Sequence, residues 1–160
     1  MTRLTRALVI GAAISIPAGA IAEERAHPVC EAIVRPIELS AHSRHPWRNA
    51  PGIRLADDIA VCAYYQDEVP AGFSFSVSND AQRREFDSAR HSFNEVHAAR
   101  DLGDAYYVRL AATAPFEPSW GLIVHDGART YRVEGIPEAG NAAAAQKLAR
   151  EMMERAMKVF

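Results

Sequence analysis

Apolar and polar positions alternate most regularly between residues 105 and 134, and this pattern predicts three consecutive antiparallel strands. The predicted strands are residues 106–112, 120–125 and 129–134. Because side chains alternate across a strand, residues two apart share a face, so each segment presents an apolar side. Asp126 and Gly127 join the last two segments and tolerate the positive φ angles of a tight hairpin. The stretch is therefore predicted to be a meander whose apolar face needs a cover.

Two earlier segments, residues 59–66 and 73–78, also alternate and are predicted to be strands. The second places its aromatic and β-branched residues on one side and its serines on the other, which indicates a strand with one buried and one solvent-exposed face. A shorter segment, residues 28–39, predicts a brief helix. Pro36 limits that helix because proline has no N–H to donate.

Helical spacing of apolar residues predicts two longer helices, residues 81–99 and 142–158. Either Asn79 or Asp80 is a suitable N-cap for the first of them, and Asn141 is a suitable N-cap for the second. The elements then follow the order β-β-α and β-β-β-α. Runs of strands with segregated helices predict an α+β fold, with antiparallel sheet or sheets and helices covering one face. The C-terminal helix is the predicted cover of the meander.

The first 22 residues have the layout of a secretory signal peptide. Arg3 and Arg6 precede an apolar run at residues 7–16, and the small-residue sequence Ala-Ile-Ala ends the segment. A membrane anchor is the alternative, but about 15 apolar residues are short for a span that needs about 20. The mature protein is therefore predicted to be a single exported domain, residues 23–160, that is periplasmic or secreted.

The two cysteines of the chain, Cys30 and Cys62, both lie in the predicted mature part. In an oxidising compartment an even pair of cysteines predicts a disulfide bond. Two buried free thiols are the alternative. A redox pair is disfavoured because the spacing does not resemble Cys-x-x-Cys.

The charge balance argues against a nucleic-acid partner. The chain carries 18 Lys and Arg residues against 20 Asp and Glu residues, and the predicted signal peptide holds two Arg and no acid. The mature part therefore has a net charge of −4, without the excess of Lys and Arg that binding to a nucleic-acid phosphate backbone requires. We predict no nucleic-acid partner and no cofactor. Membrane contact is expected only through the signal peptide before its cleavage.

Asp87, His91 and Glu95 follow one another at four-residue intervals on the predicted helix. This spacing puts their side chains along one side of a helix, where they can hold a metal ion or support acid–base chemistry. The alternative is a solvated helix face whose carboxylates pair weakly with the histidine.

A second polar group lies in a predicted loop, residues 42–52, which is rich in Pro, Gly and Asn. It contains His42, His45 and Trp47, which together suggest a recognition loop or a pair of metal ligands. A metal site would need further ligands that the sequence does not place. Ordinary loop polarity is the alternative.

The order of features resembles the DUF3558-like and related small exported bacterial domains of unknown function. The matching features are the exported start, Cys62 on a strand before Tyr64 and Tyr65, the sequence Leu-Gly-Asp-Ala-Tyr entering a strand, the hairpin and the Ala-rich last helix. The resemblance implies a disulfide between Cys30 and Cys62 and supplies no catalytic residues. The chain departs from the group in lacking a lipid-attachment cysteine and in its His-rich loop.

These observations favour a non-catalytic exported domain that binds a small ligand, an envelope component or a partner protein. An aromatic or apolar cleft is the expected binding site. The alternative is a small metal-assisted hydrolase that uses the Asp87, His91 and Glu95 group, or His42 and His45. A third hypothesis is a structural subunit that joins an envelope assembly through its sheet edges.

Overall fold

The computed structural model describes residues 28–41, 46–49, 53–56, 59–66, 72–112 and 117–160. The predicted signal peptide, residues 1–22, lies outside the described residues, as do His42 and His45. Among the described helices, none combines the length and the apolar character that crossing a membrane requires.

The described residues form four α-helices and one antiparallel sheet of eight strands, so the predicted α+β fold class is confirmed. The helices are α1 (Pro28–Ile33), α2 (Pro36–Ser40), α3 (Arg84–Ser92) and α4 (Ala142–Val159). The strands are β1 (Trp47–Asn49), β2 (Ile53–Ala56), β3 (Ile59–Gln66), β4 (Gly72–Asn79), β5 (Glu95–Ala98), β6 (Ala105–Leu110), β7 (Ser119–His125) and β8 (Arg129–Pro137). A 3-10 turn, Arg100–Leu102, links β5 to β6.

The sheet has the strand order β1-β3-β4-β8-β7-β6-β5, and β2 also pairs with β3. Its five contiguous inner strands, β3, β4, β8, β7 and β6, are the five that the alternating pattern predicts. With α3 and α4 they keep the predicted order β-β-α and β-β-β-α. The three short strands β1, β2 and β5 were not predicted, and they extend the sheet at its two edges.

Helix α4 covers one face of the sheet with a stripe of small and apolar side chains. The buried members of the stripe are Ala145, Leu148, Ala149, Met152, Met153 and Ala156. On neighbouring strands Phe75, Val133 and Leu122 stand directly opposite one another and therefore share this face. Asn141 caps α4 as predicted, because its side-chain oxygen accepts the Ala144 N–H at 3.0 Å.

Helix α3 packs on the opposite face, so the prediction that the helices cover one face is wrong. Phe86 and Ala89 of α3 form a second buried cluster with Tyr106, Val108 and Ile123. The reason is that β6 and β7 carry apolar residues at successive positions, not only at alternate ones. Both faces of these two strands are therefore apolar, and each needs its own cover.

The predicted helix at residues 81–99 is also wrong beyond Ser92. Phe93 has an extended backbone (φ −111°, ψ 138°) that ends α3, and the chain then forms β5. Val96 of β5 stands opposite Val108 of β6. The apolar spacing of Phe93 and Val96 suits one more helical turn or a strand equally well. Pairing with β6 decides the outcome, because it satisfies the backbone groups of β5 and buries the same side chains.

The disulfide between Cys30 and Cys62 is confirmed, with the two Cα atoms 5.6 Å apart. It fastens α1 to β3, and the buried Tyr64 hydroxyl reinforces the link by donating to the carbonyl oxygens of Cys30 and Val34 at 3.0 and 3.1 Å. The predicted helix at residues 28–39 is divided into α1 and α2. Pro36 starts α2 because its missing N–H is no loss in a first helical turn.

Candidate functional site

A cleft of about 450 Å³ lies beside α3, where this helix faces β5 and β6. We call it the α3–β5 cleft. Its apolar lining comes from Phe86, Val96, Ala98, Ala105 and Tyr106, and its polar lining from Arg83, Arg90, His91, Asp104 and the backbone of Gly103. Its volume falls within the range of small-molecule sites in proteins, about 300–1,000 Å³.

Two aromatic rings form the fixed part of the cleft wall. The rings of Phe86 and Tyr106 are 5.0 Å apart between centroids, in a tilted arrangement that aromatic pairs favour. The Tyr106 hydroxyl donates to the Phe86 carbonyl oxygen at 2.8 Å. Burial raises the pKa of Tyr106 to about 12, so the phenol is neutral at physiological pH. Tyr106 therefore contributes an apolar surface and carries no charge into the cleft.

Arg83 closes one end of the cleft and is committed to contacts within the protein. It occupies the left-handed region (φ 59°, ψ 18°) directly before α3, a conformation that is uncommon for a residue other than glycine. Its guanidinium lies 5.0 Å from the Phe86 ring centroid and forms an ion pair with Asp104. A longer ion pair, at 4.0 Å, joins Arg83 to Asp87.

Arg90 and His91 carry the uncommitted polar groups of the cleft. Within the described part of the chain, Arg90 is exposed and its guanidinium makes neither a hydrogen bond nor an ion pair. The Nδ1 atom of His91 lies 2.6 Å from the Asp87 carbonyl oxygen. Because a carbonyl only accepts, Nδ1 donates, and Nε2 is the nitrogen left without a partner among the described residues. The free charge of the cleft is therefore positive.

Asp80 fixes the start of α3 and with it the position of the cleft. This buried carboxylate accepts the Phe86 N–H at 2.9 Å and the Thr130 hydroxyl at 2.7 Å. Burial alone would raise the pKa of Asp80, but these hydrogen bonds outweigh burial and lower the pKa below its usual value. His125 lies 3.3 Å from the Thr130 hydroxyl oxygen through Nδ1. The network ties α3 to β8, and it also supplies the negative charge that a helix N-terminus favours.

A second cleft, of about 370 Å³, lies on the other side of α3 and against β8. Its charged groups already have partners. Arg132 binds the Glu134 carboxylate at 2.6 and 3.1 Å, and Glu85 accepts a hydrogen bond from Ser78. Arg84 donates to Gln82. This cleft therefore offers a ligand less free charge than the α3–β5 cleft does.

The predicted group of Asp87, His91 and Glu95 does not form, because Glu95 lies on β5 and not on α3. Its carboxylate accepts from Arg109 at 3.3 Å and contacts His97 Nε2 at 2.9 Å. The contact with His97 is the main cause of a lowered Glu95 pKa, and Arg109 adds to it. In the ranges that the structure describes, no group of three or more His, Cys, Asp or Glu side chains could hold a metal ion.

Of the three candidate residues in the predicted recognition loop, His42, His45 and Trp47, the structure describes Trp47. It begins β1 and its side chain is only 4% exposed, so the prediction of an exposed recognition residue is wrong for Trp47. Its position in the main core, together with Leu39 and Tyr64, explains the burial. The Trp47 Nε1 atom is buried without a hydrogen-bond partner among the described groups.

A polar network at the far end of β6 was not predicted. Arg109 donates through Nε to Glu138 at 2.8 Å, and Trp120 Nε1 donates to the same carboxylate at 3.2 Å. The His97 ring packs against Trp120 in a tilted arrangement, with 5.5 Å between centroids. The bonded residues are 14 to 29 positions apart in the sequence, so no local spacing indicates the network. Its contacts join β5, β6 and β7 to the start of α4.

Arg90 was also not predicted as a site residue, although the sequence contains a usable signal. Arg83, Asp87 and Arg90 follow one another at intervals of four and three residues, the spacing of one helix side. The prediction concentrated on carboxylates and histidine as metal ligands. The same spacing indicates a charged edge of the helix, with Arg90 as its free cation.

No known protein family matches the chain, and no curated protein or solved structure is significantly similar to it.

Proposed function

We propose that the protein is an exported, non-catalytic domain that binds a small ligand in the α3–β5 cleft. The observation that carries this proposal is the cleft itself, which combines an aromatic wall with an unpaired cation. Concave sites that combine apolar surface with a few convergent polar groups are the usual form of small-molecule sites. The resemblance to DUF3558-like exported domains, itself a prediction, implies an exported domain and supplies no catalytic residues.

Export to the periplasm or the cell exterior is supported by two independent features. The first 22 residues have the charge, apolar run and small-residue end of a signal peptide. Cys30 and Cys62 form a disulfide, and such bonds persist in oxidising compartments. We therefore expect a mature chain that begins at Glu23. Mass spectrometry of the protein from cell fractions tests this, since an intact N-terminus in the cytoplasmic fraction would contradict export.

A blocking variant tests the binding site directly. Ala98 is an exposed residue of the edge strand β5 and lines the cleft, so Ala98→Trp would fill the cleft without changing the core. Ala143 is an exposed residue on α4, and Ala143→Trp is the matched control. Wild type and both variants would be incubated with small-molecule extracts of the envelope and medium. Retained compounds would then be identified by mass spectrometry.

The expected result is a compound that wild type and Ala143→Trp retain and that Ala98→Trp loses. Because a ligand that binds only the folded state stabilises it, the same compound should raise the melting temperature of the first two proteins. Equal retention by all three proteins would place binding outside the cleft and contradict the proposal.

A further inference from the structure

We infer that the ligand of the α3–β5 cleft carries one negative charge on an apolar body, as an aryl or alkyl monocarboxylate does. This inference rests on the proposed function and deepens it, because it names the chemical class of the ligand.

Among the groups that line the cleft, one arginine is left without a partner. Asp104 is paired with Arg83, and the neutral Tyr106 hydroxyl donates a hydrogen bond to the Phe86 carbonyl oxygen. His91 uses Nδ1 within its own helix. The Arg90 guanidinium remains without a hydrogen bond or ion pair to the residues that the structure describes. A ligand that enters the cleft therefore meets one free, permanently positive group.

Arginine favours a carboxylate over other single anions because of its geometry. The guanidinium presents parallel N–H donors that match the two oxygens of a carboxylate. A ligand with two negative charges would need a second free cation in the same wall, and the other arginine there, Arg83, already binds two carboxylates. A cationic ligand would meet Arg90 with no free carboxylate among the lining residues. One negative charge fits the cleft best.

The rest of the cleft favours an apolar body. Phe86, Val96 and Tyr106 line it with aromatic and aliphatic surface, and burying apolar surface of a ligand against them is favourable. The volume of about 450 Å³ leaves space for a phenyl ring and a short chain beyond the carboxylate. Arg90 lies on the same helix as Phe86, one turn further along, so charge and apolar wall are neighbours.

Three matched probes separate charge from shape. They are 3-phenylpropionate, 3-phenylpropan-1-ol and 3-phenylpropylamine, which share the apolar body and differ in the head group. Each would be titrated into the mature protein while backbone amide shifts are followed by NMR. We expect 3-phenylpropionate to shift amides of α3 and β5 and to bind about tenfold more tightly than the alcohol, since a hydrogen bond to a charged group is worth more than one to a neutral group. The amine should bind most weakly.

Two variants assign this preference to Arg90. Arg90→Gln should reduce 3-phenylpropionate affinity about tenfold and leave the alcohol unchanged. Arg90→Lys keeps the positive charge but cannot form the bidentate hydrogen bonds of a guanidinium. Its affinity for 3-phenylpropionate should therefore lie between those of wild type and Arg90→Gln. Arg84→Gln is the matched control because it removes the same charge from the same helix but lines the other cleft. It should bind the acid as wild type does.

The outcomes distinguish this inference from the proposed function. Equal affinity for acid and alcohol at the cleft would overturn the charge inference and leave a binding cleft. A neutral or cationic compound that wild type retains and Ala98→Trp loses would also overturn the charge inference, and it would still support a binding cleft. An equal loss of affinity in Arg84→Gln and Arg90→Gln would show that net charge, not Arg90, governs binding, and would also overturn the inference. Failure of the Ala98→Trp experiment would remove the proposed function as well.

Discussion

Reduction of the Cys30–Cys62 disulfide should lower the free energy of unfolding by about 3.7 kcal/mol at 25 °C. The cysteines are 32 positions apart, and the chain-entropy relation for that separation gives about 12 cal/mol/K of entropy removed from the unfolded chain. The effect arises mainly in the unfolded state. The folded protein keeps α1 in place through the Tyr64 hydroxyl, which donates to two carbonyl oxygens of this region. We therefore expect the reduced protein to stay folded without denaturant.

Urea unfolding followed by tryptophan fluorescence is a suitable assay, because Trp47 and Trp120 are both 4% exposed in the folded protein. Oxidised and reduced wild type would be compared with the double variant Cys30→Ala/Cys62→Ala, which should not respond to reductant. The variant should be somewhat less stable than the reduced protein, since each removed sulfur leaves a small cavity. The linear extrapolation applies only if each transition has two states.

Two results would refute the reasoning. A loss below about 1 kcal/mol on reduction would mean that the unfolded chain is already compact between the two cysteines, so that the bond removes little entropy. Loss of the native circular dichroism spectrum on reduction would mean that the disulfide holds the folded structure itself. In that case the hydrogen bonds of Tyr64 would be insufficient to hold α1.

Two further predictions concern the Asp80 network at the start of α3 and the close approach of β8 to β4. Asp80→Asn should destabilise the protein by about 2 kcal/mol at pH 7. The substitution replaces a buried, charged hydrogen-bond acceptor by a neutral amide, and hydrogen bonds to a neutral group are weaker. The folded-state pKa of Asp80 is lowered, so its contribution is present above its unfolded pKa of about 3.9 and is lost as the pH falls through the folded value. Unfolding measurements at pH 7 and pH 3 should therefore show a smaller difference at pH 3, and equal differences would contradict this role. Gly135→Ala should cost about 3 kcal/mol in thermal or urea unfolding, since φ is +86° and a Cβ would overlap the Gly72 carbonyl oxygen. Gly127→Ala, with φ +99° but open space around it, is the control and should cost about 1 kcal/mol.

The inner strands and α4 were predictable from the sequence because their patterns are long and have one period. In β4, alternate residues from Phe73 to Val77 are buried against α4, as the alternation implied. In α4, six buried residues at helical spacing and a capping Asn141 point to the same element. The disulfide followed from composition and the signal peptide. Local and tertiary preferences agree in these elements.

The short edge strands and the end of α3 were not predictable because local pattern did not decide them. Residues 95–98 carry only one large apolar side chain, Val96, which fits helix and strand alike. The pairing of Glu95 with Arg109 and of Val96 with Val108 joins residues distant in sequence. The spacing of apolar residues within one segment does not predict which strand that segment pairs with. The metal-site prediction failed for the same reason, because it required Glu95 to continue the helix.

The failed helix prediction and the candidate site concern the same part of the chain, and there is a physical reason for this. A continuous helix over residues 81–99 would have run past β6 and left no β5 to form the far wall of a cleft. The extended Phe93 ends α3 after about two and a half turns. The chain then continues as β5, which pairs with β6 and leaves a space between helix and strand. The helix side at that space carries Arg90, and the left-handed Arg83 turns the chain into α3 at its other end. Violations of local preference are expected to concentrate at functional sites. The break in the helix is thus the feature that creates a cleft with a free cation, and the Arg90 variants test whether that cation has a ligand.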